Sequence, residues 1–372
     1  MKRILSMILT LSIVLTTLSI FCVSAYKIKN VKEFDYYIKM GKVQICAYTG
    51  KKASVEVPSK IEGKSVVGFG RYPNVEMGYR TGGFFNNKYV KKIVFPKSIK
   101  NIYEMSVGKC KNLKSVIIKS KIKEISDYLF YKCSKLKKIS LPSTIKVIGD
   151  EAFRNTGLKG NFTVGKNVKQ LYGDSFQGTK ITKFSVAKGN RYFSSKKGVL
   201  YNIDKTKLIC YPCAKSAKSF KTPKKTKKIC LLSFTGIRKL KTVYISNNTQ
   251  NIEIHAFMDC PKLSKIVIDT NNSIVIEEDA FMGCNKISKL LFKTDKNITI
   301  GTRAFDDCPL INVITIPKNV LKIGKNAFGY KWKKSGNSYK HIRIKGFTIK
   351  GYKGTAAEKY ATDNGFKFVA LD

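Results

Sequence analysis

Apolar and polar positions repeat along most of the chain with a step of 23 or 24 residues. The clearest copy is Leu136–Leu158. Ile139 and Leu141 alternate and are closed by Pro142; Ile145 and Ile148 follow, then Gly149, then Ala152 and Phe153, a polar turn and Leu158. The Phe position recurs at Phe84, Val107, Phe130, Phe153, Phe176, Phe234, Phe257, Phe281, Phe305 and Phe328, with a single long step of 58 residues between Phe176 and Phe234. A fixed period in the low twenties means one supersecondary unit per repeat, and such a unit buries its apolar face only by stacking on its neighbours.

The period-two pairs predict strands, because alternate residues of a strand share a face. First-strand pairs are Ile93/Phe95, Val116/Ile118, Ile139/Leu141, Phe162/Val164 and Phe184/Val186, then Val243/Ile245, Ile266/Ile268, Leu290/Phe292, Ile314/Ile316 and Ile342/Ile344. Stacked in register they predict one parallel sheet with strands about 4.8 Å apart. Second pairs such as Ile122/Ile125, Ile145/Ile148 and Val320/Ile323 predict a second short strand in each coil. The Ala-Phe-x-x-Cys segment is too short for a long helix and reads as a helical or 3-10 turn. The expected fold is a mainly β solenoid of about ten coils with short helical turns.

The run I-x-L-P-x-x-I-x-x-I-G-x-x-A-F resembles the BspA-type leucine-rich repeat of bacterial surface proteins. Ile323–Tyr330 (IGKNAFGY) and Ile252–Leu263 (IEIHAFMDCPKL) fit the same frame. The resemblance spans roughly residues 66–344. It implies an exported leucine-rich-repeat scaffold that binds rather than catalyses, an adhesin among the possibilities, and no fixed chemistry goes with it.

The segments outside the period divide the chain further. Residues 1–25 read as a signal peptide: Lys2 and Arg3, an apolar run from Ile4 to Val23, and the small residues of Val23-Ser24-Ala25. The run is also long enough for a retained anchor. Residues 26–65 are the expected N-terminal cap, with a short helix over Glu33–Lys39 and strands at Val43–Ala47 and Val55–Val57. The Gly-rich first coil, from Val66 to Phe84, predicts a mobile loop. The long step reads as one coil (187–228) with a β-hairpin insertion projecting from the solenoid: Val199/Tyr201 and Leu208/Cys210 alternate around Asp204-Lys205. Residues 345–372 are the expected C-terminal cap, in which Thr355 and Glu358 form a capping box and Gly365 ends the helix.

Charge changes this picture most. Seventy-one Lys and Arg face 24 Asp and Glu, a formal +47, and eight of the cations are Arg, leaving 63 Lys. Such an excess keeps a protein soluble and draws it to polyanions. It also fits a Lys-rich solvated surface and nothing more. Lys92, Lys138, Lys183, Lys265 and Lys289 each precede the first core residue of a strand, and Tyr244 lies between two core residues. In-register stacking turns them into a basic column on the open face of the main sheet. The expected partners are a host or cell-wall glycan, another anionic polymer, or a protein ligand. Sequence-blind nucleic-acid binding is the alternative; base reading favours Arg forks, and Lys dominates here.

Catalytic signals are weak. Cys110, Cys133, Cys260, Cys284 and Cys308 all sit three residues after the Phe position, in a slot that Thr156 and Thr179 fill elsewhere. They read as small buried thiols, although stacked neighbours are within disulfide reach. Cys210-Tyr-Pro-Cys213 is a C-x-x-C, but no helix pattern follows to stabilise a thiolate, and no second ligand pair suggests zinc. The two histidines, His255 and His341, have no Ser, Cys or acid at motif spacing. The chain reads as a non-enzyme with no cofactor.

Overall fold

The computed structural model describes residues 26–73, 82–336 and 338–371. Over these the chain is a mainly β solenoid with parallel stacking, and one α-helix, Ala356–Asn364, stands near its end. The expected signal peptide lies outside the described residues, as do residues 74–81 of the loop expected over Val66–Phe84; the start of that span belongs to the strand Lys64–Phe69.

Each regular coil is held by the ring at its Phe position. Phe130 and Phe176 flank Phe153, each with ring centroids 5.5 Å away and planes within 13° of parallel. Phe234, Phe257, Phe281, Phe305 and Phe328 continue as a stack with spacings of 4.4 to 5.0 Å. These spacings match that of stacked strands, so the rings run as a ladder through the core. The backbone follows the same step. The N–H of Phe153 donates to Ser175 O, Phe257 to Ala280 O and Phe305 to Ala327 O, at 2.7 to 3.0 Å.

The turn that carries each ring is not helical in general. Tyr128, Glu151, His255, Asp279 and Arg303, each two residues before a ring, have φ between 50 and 56°. A left-handed residue at that place stops a helix from forming. It thereby leaves the ring's N–H free to pair with the next coil instead of its own. Only Gly173–Phe176 forms the expected 3-10 turn among these segments.

The long step between Phe176 and Phe234 contains two coils rather than one. Tyr211, 23 residues before Phe234, occupies the ring slot: it stacks on Phe234 at 4.7 Å, and its N–H donates to Ser233 O. Tyr supplies the same flat apolar face as Phe, so a search for Phe passes over it. The hairpin within this step exists, with Val199–Asn202 antiparallel to Lys207–Cys210, but it does not project. Phe193–Lys196 and then Val199–Asn202 begin an eight-stranded sheet that Lys207–Cys210 joins in parallel to Lys228–Ile229 and the following second strands. Val199, Leu200, Tyr201 and Leu208 are all buried, which is why the hairpin lies in the wall. The core divides here: Leu200 and Cys210 pack with the N-terminal coils, Val199, Tyr201, Leu208 and Tyr211 with the C-terminal ones.

First strands form several parallel sheets in place of one. Ser54–Glu56, Lys92–Phe95 and Ser115–Ile118 make the first; Lys159–Val164 pairs with Lys180–Val186; Ser219–Lys221, Thr242–Asn247, Lys265–Thr270 and Lys289–Phe292 make the longest. Ile139 and Leu141 are only half buried, and their segment forms no strand, so the first and second sheets are separated at that coil.

Three further expectations differ. Phe34–Lys39 is a strand, not a helix, because its alternating Phe34, Tyr36 and Ile38 pair antiparallel with Lys42–Tyr48. Ile342 and Ile344 are not a first-strand pair. Tyr330–Ser335 and Ser338–Arg343 form a second hairpin, and Thr348–Gly351 takes the first-strand place beside Val313–Thr315. The capping box is incomplete: Glu358 reaches back to the N–H of Gly354 at 2.7 Å, but the Thr355 hydroxyl donates to Tyr352 O. Gly365 does end the helix in the left-handed conformation, with φ 63°.

The cysteine slot has a geometric meaning. The thiols of Cys110, Cys133, Cys260, Cys284 and Cys308 each donate to the carbonyl of the Phe-position residue one coil earlier (Val107 for Cys133), at 2.9 to 3.4 Å. Cys213 does the same to Phe176 O at 3.2 Å. All are free thiols. A small buried donor is what the slot asks for, so Cys fits it without any disulfide.

Candidate functional site

The structure separates the six residues singled out by their phase in the repeat. Lys265 lies directly opposite Lys289, and Tyr244, 37% exposed, sits diagonally from Lys265 across the neighbouring pair. Lys92 is exposed but stands between Ser54 and Ser115. Lys138 is exposed on the segment that forms no strand. Lys183 is opposite Asn161 at a register shift, and its Cβ packs so closely on Gly198 that a Cβ there would lie 2.8 Å away. Lys265, Lys289 and Tyr244 are therefore brought together; Lys92, Lys138 and Lys183 are not in line with them.

A longer basic row lies on the second-strand wall. Lys100, Lys123, Lys146 and Lys169 each sit between the two buried residues of a second pair and are exposed. The N–H of Lys146 donates to Lys123 O at 2.6 Å, and that of Lys169 to Lys146 O at 2.8 Å. These bonds put Lys123, Lys146 and Lys169 one coil apart, about 4.8 Å along the stack; Lys100 shares their phase in the repeat and lines the same groove as Lys123. Among the described residues none of the four makes an ion pair. Like charges directly opposite each other on stacked strands repel, so this row gains from an external counter-charge. It shares the 23-residue step from which the rest of the repeat is read, and that step is the signal that finds it.

The row begins in a groove of about 1670 Å³ at the N-terminal end of the wall. Lys100, Lys121 and Lys123 line it together with Ser98 and Tyr103; Glu104, Glu124 and Asp127 are the carboxylates in its lining. The C-terminal half of the wall has a different balance. There Glu253 pairs with Lys228 at 3.3 Å, Glu277 accepts from Asn251 at 2.7 Å, and Arg303 is held by Glu278 and Asp279 at 2.6 and 2.7 Å. The four lysines of the row are thus without an ion pair among the described residues, whereas Glu253, Glu277 and Arg303 of the C-terminal half are engaged; Arg154 in the N-terminal half pairs with Glu151.

The thiol and imidazole groups are engaged structurally. Cys210 donates to Gly173 O, and burial pushes its thiol well above the ordinary range. Burial also raises the Cys213 thiol. A redox pair needs a stabilised thiolate, and the surroundings of this C-x-x-C do the opposite. His255 meets Asp279 at 3.3 Å and His341 meets Asp306 at 2.7 Å. No cluster of three or more metal-ligating side chains forms among the described residues. No helix among them is long and apolar enough to cross a membrane.

Comparison with known proteins agrees with this architecture. The family model described as a BspA type leucine-rich repeat region matches residues 81–197 and 207–333, in six copies. Among solved structures, the chain is similar to the pneumococcal vaccine antigen PcpA, with a TM-score of 0.66, 24% identity, and coverage of 93% of this chain and 99% of that one. It is also similar to a leucine-rich cell surface protein from Faecalibacterium prausnitzii, with a TM-score of 0.62, 19% identity and coverage of 91% and 98%. A leucine-rich repeat protein from Eubacterium ventriosum follows at a TM-score of 0.53 and 19% identity, covering 82% and 95%. No curated protein sequence matches the chain. At these identities the structural likeness is one of fold, whereas the family match spans most of the chain and coincides with the ring ladder. The protein belongs to the BspA-type leucine-rich repeat family.

Proposed function

We propose that the protein is an exported cell-surface or secreted scaffold that holds an acidic polymer, such as a teichoic acid or a sulfated or uronic glycan. The observation that carries this reading is the row Lys123, Lys146 and Lys169, exposed, in register and without an ion pair among the described residues, with Lys100 exposed at the same phase beside it. Ammonium groups are compact, mobile point charges. A row of them follows an irregular polyanion without demanding a fixed register. Each contact is weak and screened over about 8 Å at physiological salt, so affinity comes from several contacts at once. Export is supported by Lys2, Arg3, the apolar run and Val23-Ser24-Ala25, and by the fold neighbour from Faecalibacterium prausnitzii, a cell surface protein.

The test compares two variants of the mature protein on a panel of acidic polymers across a salt series. One carries Gln at Lys100, Lys123, Lys146 and Lys169. The other carries Gln at Lys92, Lys138, Lys183, Lys265 and Lys289. The first should lower the slope of log affinity against log salt, by up to about 0.7 for each contact removed, the value for single-stranded nucleic acid; the second should change it less. Equal losses in both would mean diffuse net charge and no site on the wall. Greater loss in the second would move the site to the first-strand face. No binding by the parent near physiological salt would overturn the proposal.

A further inference from the structure

The hairpin Tyr330–Arg343 is an insertion that the solenoid does not need. Its register sets Trp332 opposite His341 and Lys334 opposite Tyr339. With a period of two, Tyr330, Trp332 and Lys334 share one face with Arg343, His341 and Tyr339. The rings on that face are ordered. Tyr330 stacks on His341 at 5.0 Å with planes 24° apart, and the Trp332 ring centroid lies 4.6 Å from that of His341 with planes 31° apart.

The base of the hairpin fixes these rings. The Tyr330 hydroxyl donates to Asn364 Oδ1 at 2.8 Å, His341 Nε2 meets Asp306 Oδ1 at 2.7 Å, and Arg343 donates to Asn364 O at 2.9 Å. The N–H of Trp332 donates to Asp307 Oδ1 at 3.2 Å. None of these bonds covers the outer rings: Trp332 is 45% exposed and Tyr339 65%. The ribbon contains Lys331, Lys333, Lys334, Lys340 and Arg343 and no Asp or Glu. Lys333 stands directly opposite Lys340, a like-charge pair that costs stability without a counter-ion.

We propose that this face is a binding site for an acidic oligosaccharide. A flat aromatic face carries partial negative charge and its partners' C–H bonds partial positive charge, so a sugar ring lies on Trp332 through its C–H face. A carboxylate or sulfate on the same or the next sugar then meets Lys334. Charge complementarity selects an acidic sugar over a neutral one. Tyr330 and Trp332 are each already packed against His341, and Trp332 stays 45% exposed, which leaves ring surface for a sugar to lie on. The inference stands independently of the lysine row, which lies on the second-strand wall.

The chain has a single Trp, so its emission reports this site alone. The mature protein is titrated with acidic tetrasaccharides (hyaluronan and heparin fragments), a neutral chito-tetrasaccharide and a short oligo-dT. The acidic sugars should shift Trp332 emission to shorter wavelength and protect it from acrylamide, with at least tenfold weaker binding of the neutral sugar. By calorimetry, Trp332→Ala and Lys334→Gln should each weaken binding at least fivefold while the melting curve stays within a few degrees. The four-Gln variant of Lys100, Lys123, Lys146 and Lys169 should retain the emission change. Absence of any change at millimolar acidic sugar overturns the proposal, as does full affinity in Trp332→Ala. Tighter binding of oligo-dT than of either acidic sugar overturns the ligand class, and loss of the response in the four-Gln variant replaces the site with diffuse charge.

Discussion

Tyr360 shows how one residue closes a repeat. In most regular coils the ring's N–H donates to the next coil, and in those followed by a cysteine in the slot the ring's carbonyl accepts a thiol from that next coil. Phe328 has no further coil, and the Tyr360 hydroxyl does both: it accepts from Phe328 N at 2.9 Å and donates to Phe328 O at 2.8 Å. Tyr360→Phe keeps the packing and leaves two buried backbone groups unpaired. It should cost about 1–3 kcal/mol in a urea titration. Phe153→Ala removes a ring stacked on both sides and should cost about 3–5 kcal/mol, the usual range for a buried Phe; an unchanged midpoint would contradict the ladder. Asp174 is buried, with Asp150 and Glu151 nearby, and its carboxyl is raised from 3.8 to about 6. The native state therefore holds this proton more tightly than the unfolded chain. Raising the pH from about 4 through 6 removes stability, and the loss is complete about one unit above 6. Asp174→Asn should flatten that decline and be more stable than the parent at pH 8 by about 1–2 kcal/mol, while the two converge near pH 3.5. Thermal melts across the pH series decide it.

At the scale of elements, the two hairpins and the terminal helix answer to different forces. The hairpin at Val199–Cys210 is apolar on the side that meets the coils, so it joins the wall. The hairpin at Tyr330–Arg343 is basic along its length and stays outside, held by its base. The helix Ala356–Asn364 covers the last coil with Ala357, Tyr360 and Ala361, all buried, and Lys367–Ala370 adds a parallel strand beside Thr348–Gly351. Deleting residues 354–372 should therefore expose the ring of Phe328 and produce aggregation or a lower melting temperature, measured by light scattering and calorimetry. A monomeric truncation with the parent's melting curve would show that the helix is dispensable.

The whole molecule is a stack in which each coil touches mainly its neighbours, so its stability is close to a sum of local terms. The weakest joint for cooperativity is where the core divides between Leu200 and Tyr201. Trp332 lies in the C-terminal half, whereas far-UV dichroism reports all strands. Leu200→Ala, a cavity on the N-terminal side of the joint, should pull the dichroism midpoint below the Trp332 emission midpoint in urea. Coincident midpoints would mean that the two halves unfold as one. The net charge acts at this scale too, since +47 on 372 residues favours solubility and attraction to polyanions and contributes nothing to the fold.

The repeat, its length and the core rings followed from the sequence alone. A 23-residue step with Phe at one phase leaves stacking as the way to bury the rings, and the family resemblance rests on the same residues. The slot of the thiols was readable for the same reason, because Thr156 and Thr179 share it. Other features depended on contacts between residues distant in sequence. Tyr211 fills a ring slot across a step of irregular length; Phe34–Lys39 becomes a strand because Lys42–Tyr48 pairs with it. Phase in the repeat predicts which residue lies above which only while every coil forms its strand. The coil at Ile139 does not, and a register shift intervenes at Gly160/Asn161, so the expected lysine column on the first strands divides. On the second strands the hydrogen bonds from Lys146 and Lys169 keep the register. Sequence periodicity determines which side chains share a phase, and the backbone bonds of the folded chain decide which of them become neighbours.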